Sequence, residues 1–246
     1  GATVVERGRL TILKSAGKAM GGNLIIGDDD PFDDEESVNF SGITELLANS
    51  AEVTVRAGAR WLNFSTSETF ARLSGDGVVS NESGAIMVGY GDASFAFNGS
   101  LMGEGFFEKI GAAKGVLGGN SPLFTGEITV NDGTLEINGA IPGATTAVIP
   151  GARLTGHGSV ANLFVQNGGI YQPGRSKQNG LNVMTSSNLN LAAGSIFRVA
   201  IWGGGSDQHG RASVKGLANL TNAVLDLRQL APIPVGSEFV IIENDG

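Results

Sequence analysis

The amino-acid sequence predicts an all-β fold, a parallel β-helix or solenoid. Two observations carry this prediction: a short phrase that recurs along the chain, and 39 glycines in 246 residues, about twice the roughly 7% average usage. The phrase is an apolar residue, two variable residues and a glycine, and it returns at intervals near 20 residues. Repetition at this interval is typical of solenoids, in which each repeat buries its apolar side chains by stacking on its neighbours.

The repeated phrase predicts which residues face the core and which form turns. Its first copy runs from Val5 to Ile12, and the stretch from Val130 to Ile137 repeats every apolar position of that copy. Since the copies share one phase of the repeat, we expect the apolar residue to point inward and the glycine to lie at a turn between sheet faces. The expected pairs are Val55/Gly58, Val130/Gly133, Val148/Gly151, Val165/Gly168 and Leu191/Gly194.

Short runs typical of β-strands follow one another along the chain. Dipeptides such as Asn98-Gly99 and Asp132-Gly133 favour antiparallel hairpins when taken alone. The constant phase of glycine favours stacked parallel rungs instead, roughly ten of them at ~20–25 residues each. The one helix candidate, Ile43–Ala48, is too short to be stable. The predicted strands are Asn23–Ile26, Glu52–Val55, Ile86–Val88, Ser94–Phe97, Glu127–Val130, Leu163–Val165, Leu189–Leu191, Ile196–Ile201, Ala223–Leu227 and Glu238–Ile242.

Composition and charge narrow the class of protein. Hydrophobic residues are 41% of the chain and charged residues 16%, which suffices for a continuous core and argues against disorder. The absence of cysteine excludes a disulfide scaffold and a cysteine-based zinc site. The net charge of −8, without a cluster of Lys or Arg, argues against nucleic acid or anionic membrane as partners. No apolar run reaches the ~18 residues of a membrane helix.

The domain prediction is a single β-helix over residues 1–246, a fragment of a longer exported protein. Seven acidic residues lie between Asp28 and Glu36, and we expect a solvated, protruding loop at 28–36 because like charges this dense repel one another. Calcium is the competing interpretation of this loop, but the run lacks the glycine of a calcium loop. Strand-like runs are densest from about 181 to 246, which predicts a stable C-terminal segment.

Two histidine motifs suggest chemistry, and each also has a structural explanation. Gly156-His157-Gly158 resembles a motif of β-helical pectin hydrolases, but those enzymes need two or three carboxylates at one cleft, and no aspartate lies between positions 132 and 207. Ser206, Asp207 and His209 are too close in sequence to converge easily as a serine triad. Both histidines are therefore predicted in solvated turns, and no catalytic, cofactor-binding or metal-binding residue is assigned.

Sequons and large aromatic residues also have structural explanations. The turn composition accounts for the five Asn-x-Ser/Thr sequons, and the aromatic residues are predicted to fill the core or its ends. Exposure of Trp61 together with Phe64 would make them candidates for stacking on sugars. The sequons lie at Asn39, Asn63, Asn81, Asn98 and Asn219, and the aromatic residues are Trp61, Phe64, Phe106, Phe107 and Trp202.

Many small motifs, kept in order over most of residues 70–242, resemble the passenger domains of bacterial autotransporters with their passenger-associated repeats. The sequence departs from that family at Ala113, Gly115 and Pro122. The resemblance implies a right-handed parallel β-helix that is exported through the outer membrane by a C-terminal β-barrel. The motifs are Leu73–Val79, Lys109-x-Gly111, Gly119-Asn120-Ser121, Phe124-Thr125-Gly126, Val130–Leu135, Asn138-Gly139, Gly151–Val160, Pro173–Ser176 and Ser206–Gly216.

The leading functional hypothesis is a structural and adhesive stalk on the bacterial surface or in the extracellular space, without catalytic activity in this fragment. One alternative is a β-helical glycosidase or lyase, which needs a lateral groove holding two carboxylates, or a carboxylate with an Arg or Lys base. Another is the scaffold of a toxin or protease passenger whose active domain lies outside these residues. The expected partners are a protein or glycan ligand on a host or environmental surface and the β-barrel translocator. Neither a cofactor nor a nucleic acid is expected.

Overall fold

The structure, a computed structural model, describes residues 1–28, 36–42, 44–174 and 182–245. Within these ranges the regular structure is 26 β-strands and one short 3₁₀ helix, Tyr90–Asp92. The strands are β1 Thr3–Val5, β2 Arg9–Lys14, β3 Leu24–Ile26, β4 Ser37–Gly42, β5 Glu52–Val55, β6 Arg60–Asn63, β7 Glu68–Phe70, β8 Arg72–Gly75, β9 Val78–Asn81, β10 Ala85–Val88, β11 Phe95–Phe97, β12 Ser100–Met102, β13 Phe106–Lys109, β14 Lys114–Leu117, β15 Glu127–Val130, β16 Thr134–Ile137, β17 Ala140–Val148, β18 Arg153–Gly156, β19 Ser159–Val165, β20 Ile170–Pro173, β21 Val183–Leu191, β22 Ile196–Ile201, β23 Arg211–Val214, β24 Ala218–Asn219, β25 Val224–Gln229 and β26 Ile242–Asn244.

These strands coil into a parallel β-helix with three faces, as the sequence predicts. The first face is an 11-stranded sheet that runs from β1 through β3 and β5 to β25. The second begins as a five-stranded sheet, β2-β4-β6-β9-β12, and the third belongs to a 10-stranded sheet from β7 towards β26. The long strands β17, β19 and β21 bend across the second and third faces. Every ladder between strands of the described residues is parallel, so hairpins are not the architecture.

The register on the first face sets the length of each rung. From β5 to β20, successive strands are offset by 17 to 22 residues, which confirms the repeat near 20. Three rungs are longer, with offsets of 29 between β3 and β5, 26 between β20 and β22, and 28 between β22 and β25. The first of these contains the acidic run and the last contains the loop around Gly204. The strands on either side of each longer rung still pair in parallel.

The predicted inward residues and turn glycines are confirmed. All five apolar residues are at most 1% exposed, and all five glycines have positive φ, between 62° and 85°. The assumption of a single phase is wrong, however. Val55/Gly58 joins the first face to the second, whereas the four later pairs, from Val130/Gly133 onward, join the third face to the first. Two different corners accept the phrase, because the turn requires only a positive-φ residue shortly after an inward strand end.

A column of glycines stacks at the corner between the first and second faces. A Cβ on Gly119 would lie 2.0 Å from the carbonyl oxygen of Gly99, and one on Gly139 would lie 1.9 Å from that of Gly119. Only glycine permits backbones to approach so closely. The column consists of Gly77, Gly99, Gly119, Gly139 and Gly158.

The core is one continuous apolar cluster along the inside of the coil. Trp61 packs edge-to-face between Phe40 and Phe70, with ring centroids 5.3 and 5.5 Å away. Trp61 and Phe107 are buried, as predicted, and Trp202 is half-buried. The prediction is wrong for Phe64 and Phe106, which are 48% and 47% exposed. Because Trp61 is buried, it cannot form an exposed sugar-stacking pair with Phe64.

The rejected helix candidate is absent over its described residues, and one predicted strand differs from the structure. Residues 44–48 form no helix, and Leu47 instead bridges in parallel to Met20 on the third face. Ile43 lies outside the described residues. The strand predicted at Glu238–Ile242 is wrong over most of its length, because the strand there is Ile242–Asn244.

Burial decreases at the C-terminal end of the coil. Leu225 and Leu227 of β25 are 50% and 54% exposed, since β25 is the last strand of the 11-stranded sheet. The stable segment predicted from about 181 begins at a position outside the described residues. Its buried part runs from Asn182 to Val214, and its stability stays a prediction.

Candidate functional site

A buried carboxyl group occupies the inside of the third face. Glu68 begins β7 and shares the inward side of that strand with Phe70. The same inward column continues through Ile86 and Phe107 in the next two rungs. Glu68 is fully buried, so an ionisable group stands where the neighbouring rungs carry apolar side chains.

Both oxygens of Glu68 accept hydrogen bonds from the backbone of the preceding rung. Leu46 N–H donates to Oε1 over 2.9 Å, and Leu47 N–H donates to Oε2 over 3.0 Å. Both leucine side chains are themselves fully buried. The amides of Leu46 and Leu47 therefore bond to a side chain where a regular rung would bond to backbone carbonyl groups, while Leu46 C=O and Ala48 N–H pair with the backbone of the preceding rung. We call Glu68 with residues 44–48 the carboxyl clasp.

Glu45 and its partners form the outer edge of the carboxyl clasp. Glu45 adopts a left-handed φ of 60°, which is uncommon for a residue other than glycine. Its carboxylate accepts a hydrogen bond from Lys18 Nζ over 2.8 Å and another from Thr69 Oγ1 over 2.6 Å. Lys18 Nζ also donates to Asn49 Oδ1 over 2.5 Å. The edge is thus held by an ion pair and hydrogen bonds that connect three successive rungs.

The surroundings of Glu68 favour its neutral form. Burial raises the pKa of Glu68 to about 7, with a smaller contribution from the negative charge of Glu45. The two backbone N–H bonds and the positive charge of Lys18 act in the opposite direction. The desolvation of a carboxylate inside an apolar column is the dominant effect.

Lys109 is a second charged group inside the coil. Its inward column carries Val88 in the preceding rung and Val130 in the following one. The residue is fully buried, and its Nζ donates to the carbonyl oxygens of Ile110, Gly111 and Asp132 over 2.8, 2.5 and 3.1 Å. Burial lowers the pKa of Lys109. The ammonium group joins two successive rungs at their corner, which is a structural role.

The structure separates the two candidate histidines. His157 lies half-buried in a bend, as predicted for a turn residue, and Gly158 beside it belongs to the glycine column. His209 was predicted in a solvated turn, and this is wrong because it is 1% exposed. Its Nε2 lies 2.8 Å from the carbonyl oxygen of Val240, and its ring packs edge-to-face on Phe239 at 5.1 Å.

Ser206 and Asp207 do not form a triad with His209. Both lie exposed in the loop, whereas the imidazole is buried and its Nε2 contacts a backbone carbonyl group. A nucleophile–base pair requires the two side chains to be within hydrogen-bond reach of each other. The loop therefore holds a buried structural histidine beside two solvated polar residues.

Charged side chains on the outer surface pair between rungs. Lys114 Nζ lies 2.6 Å from Glu136 Oε2, and Arg198 Nε lies 2.7 Å from Asp226 Oδ2. The hydrogen bond from Arg198 is the largest of the effects that lower the pKa of Asp226. These carboxylates thus lie beside Lys and Arg side chains on the first face. A carboxylate with a Lys or Arg base is the combination that a lyase would use. Each of these carboxylates is bonded to the cation of a neighbouring rung.

Two of the sequons form an internal ladder of asparagines. Asn63 and Asn81 are buried, and Asn63 Nδ2 donates to Asn81 Oδ1 over 2.9 Å. Asn81 Nδ2 donates in turn to the carbonyl oxygens of Gly84 and Phe106. These side chains therefore satisfy the backbone at a corner of the coil and are inaccessible for glycosylation. Of the other three sequon asparagines, Asn98 is exposed, and Asn39 and Asn219 are half-buried.

The acidic run lies largely outside the described residues. Asp28 and Glu36 are described, and Glu36 is buried at the start of the second face, while residues 29–35 are not described. The predicted solvation of the loop therefore stays a prediction. Among the residues that the structure describes, no group of three or more His, Cys, Asp or Glu side chains is placed to hold a metal ion.

The fold and these contacts define a parallel β-helix protein whose buried ionisable groups support its rungs. Comparison with protein-family models, with curated proteins and with solved structures finds no match. Within the described ranges, no helix has the length and apolar character needed to span a membrane.

Sequence reasoning missed Glu68 and the structural role of Lys109. The signal for each was present in strand alternation, because Glu68 is two residues from the inward Phe70 and Lys109 two residues from the inward Phe107. Alternation alone identifies the side of the strand. It does not identify the amide and carbonyl groups that satisfy these side chains, since those belong to other residues brought close by the coil.

Proposed function

We propose that this chain is the structural and adhesive stalk of an exported bacterial surface protein. The observation that supports the proposal best is the continuous parallel β-helix, with 11 strands stacked on one face. Such a stack places each successive rung ~4.8 Å further along one axis. It is therefore a rigid body with a long, regular lateral surface.

The contacts of the reactive side chains support a structural role. Glu68, Lys109 and His209 are buried, and each bonds to backbone groups of another rung or segment. Catalytic groups must reach a substrate, and pairs of carboxylates must flank the bond that is broken. Side chains used inside the coil contribute to its stability instead.

The outer surface supports the adhesive part of the proposal. At the start of the third-face strands, polar side chains repeat from rung to rung, as in Thr145, Asn162 and Asn188. Asn188 Nδ2 donates to Asn162 Oδ1 over 2.8 Å, so the row is ordered along the axis. Ordered amides and hydroxyls offer hydrogen-bond donors and acceptors to a protein or glycan ligand.

Export and surface location follow from the resemblance to autotransporter passengers and belong to the proposal. In that case a C-terminal β-barrel of the same polypeptide is the translocator, and the ligand is a protein or glycan on a host or environmental surface. A parallel β-helix suits this route because rungs can stack one by one on those already formed.

Beads that carry the purified chain test the proposed function. They are incubated with surfaces coated with mucin, fibronectin, chitin or polygalacturonan, and retention under flow is measured against beads that carry albumin. The proposal predicts retention on at least one surface, together with no release of reducing or unsaturated sugars from the soluble polysaccharides. Sugar release by the chain would favour the carbohydrate-active alternative, and retention equal to that of albumin on every surface would contradict the adhesive role.

A further inference from the structure

The carboxyl clasp is a buried acid that closes an irregular part of the coil. Between the second and third rungs of the third face, the amides of Leu46 and Leu47 donate to Glu68, and Glu45 N–H donates to the carbonyl oxygen of Ser67 over 2.8 Å. Glu68 thus holds residues 44–48 against the following rung together with the bonds of Glu45 to Ser67 and Thr69.

Residues 44–48 can leave this position more easily than a regular strand. Glu45 has a left-handed backbone, a conformation that costs about 1–3 kcal/mol and persists only when its surroundings hold it. The backbone of this segment pairs with the preceding rung at Leu46 and Ala48, whereas its amides reach the following rung through the Glu68 side chain and the carbonyl oxygen of Ser67. An irregular segment that joins one neighbour through a side chain is a place where local opening occurs. In the closed state the segment buries the side chains of Leu46 and Leu47.

Opening would bring the carboxyl group from an apolar interior into water. In the closed state it lies beside Ile86 of the next rung and accepts only two backbone N–H bonds, although a carboxylate has about four acceptor positions. The neutral carboxyl group retains acceptor capacity for backbone amides and avoids the cost of burying a charge.

We propose that the carboxyl clasp is a proton-controlled closure of the N-terminal rungs, closed when Glu68 carries a proton and opening more often when it releases that proton. The charged groups that face Glu68 are Glu45, which favours the protonated form, and Lys18, which opposes it. Acid therefore tightens residues 44–48 against the coil, and a neutral or alkaline medium loosens them.

The direction follows from proton linkage. The pKa of Glu68 is about 7 in the closed state and near the ordinary ~4.3 of a glutamate when the segment opens into water. Between these two values the closed state binds more protons, so the opening constant rises with pH, by up to tenfold per pH unit. Above pH 7 both states are ionised, and the constant becomes independent of pH.

Hydrogen–deuterium exchange of the whole chain between pH 5 and 8.5 tests the proposal, with rates corrected for intrinsic chemical exchange. The peptide that contains Leu46 and Leu47 is followed, with the peptide over β16 as an internal reference. We expect protection of the Leu46 and Leu47 amides to fall by up to about tenfold per pH unit from pH 5 to 7 and then to level off. A β16 peptide with the same slope would show that the effect is global and would overturn the proposal.

Two variants and a control identify the responsible group. Glu68→Gln, which keeps a neutral side chain and a carbonyl acceptor at every pH, should abolish the slope and make the protection of this peptide independent of pH between pH 5 and 8.5. Glu104→Gln, at an exposed glutamate, should behave as the parent chain. If Glu68→Gln does not fold, Lys18→Met tests the same group. Lys18 lowers the pKa of Glu68, so its removal should raise the pH above which protection of the peptide stops falling. The proposal would be overturned if protection of the peptide still fell with pH in Glu68→Gln. It would also be overturned if, in Lys18→Met, protection stopped falling at the same pH as in the parent chain.

Discussion

At the scale of single residues, this molecule uses ionisable side chains to satisfy backbone groups that the coil leaves without strand partners. Glu68 accepts from two amides, and Lys109 donates to three carbonyl oxygens. Hydrogen bonds to charged groups are worth about 1.5–3 kcal/mol, more than neutral ones. The ammonium group of Lys109 can therefore remain inside an apolar column when carbonyl groups surround it, whereas burial favours the neutral form of the Glu68 carboxyl group.

His209 provides a residue-scale prediction. His209→Ala should lower the free energy of unfolding by about 2 kcal/mol, because it removes a buried ring together with its contacts to Val240 and Phe239. Urea denaturation followed by circular dichroism measures the loss. His157→Ala, at a half-buried bend, is the matched control and should change stability by less than about 0.5 kcal/mol. Equal losses in the two variants would show that the burial of His209 contributes nothing.

The error over His209 shows why sequence reasoning fails at some residues. The run Gly203-Gly204-Gly205 before it indicates a solvated loop, and this is correct for Ser206 and Asp207. The partners of His209 are Val240 and Phe239, about 30 positions further along the chain. A local sequence pattern gives no information about contacts between residues about 30 positions apart in the chain.

At the scale of elements, the corner glycines determine the path of the coil. The repeated phrase predicted the inward residues and the positive-φ turns, because both depend on local backbone conformation. It did not predict which corner each copy occupies, since Val55/Gly58 and Val130/Gly133 have the same local pattern at different corners. Rungs of regular length separate these two copies, with offsets of 20 to 22 residues on the first face. The corner therefore depends on how each rung divides its residues among the three faces, which the phrase does not encode.

The glycine column gives an element-scale prediction. Gly119→Ala places a Cβ 2.0 Å from the carbonyl oxygen of Gly99, so two rungs must separate, and we expect a loss of ~3 kcal/mol or more. Gly151→Ala is the control, because nothing lies within 4 Å of its Cβ although its φ is 85°, and it should cost ~1–2 kcal/mol. Thermal unfolding of both variants measures the difference. A Gly119 variant as stable as the Gly151 variant would mean that the column is not tightly packed.

At the scale of the whole molecule, stability is shared between neighbouring rungs. A rung cannot bury its apolar side alone, so growth on an existing template avoids the cost of nucleation. From the resemblance to autotransporter passengers, we expect the C-terminal rungs to emerge first and to form a stable seed for the others. Those rungs are well buried here from Asn182 to Val214, and exposure increases beyond them.

Limited proteolysis tests this whole-molecule prediction. We expect residues 140–246 to be folded and protease-resistant on their own, and residues 1–110 to be much less stable. The earliest cleavage should fall in the acidic run at 28–36, because a run of like charges is expected to be solvated and solvated loops are preferred sites of nicking. Mass mapping of the surviving fragment gives the result. A resistant core drawn from the N-terminal half would reverse the expected direction of stability along the coil.

The central claim is that the intact coil, rather than a reactive side chain, performs the function. Its most direct test is the retention under flow of beads that carry a variant combining His157→Ala, Ser206→Ala and Asp207→Asn, which removes the accessible groups that suggest chemistry. This variant should keep its β circular dichroism spectrum and bind the retaining surface as the parent does, whereas the parent unfolded by heat should lose retention together with the folded spectrum. Loss of retention in the folded triple variant would contradict the claim, because a reactive group would then be required.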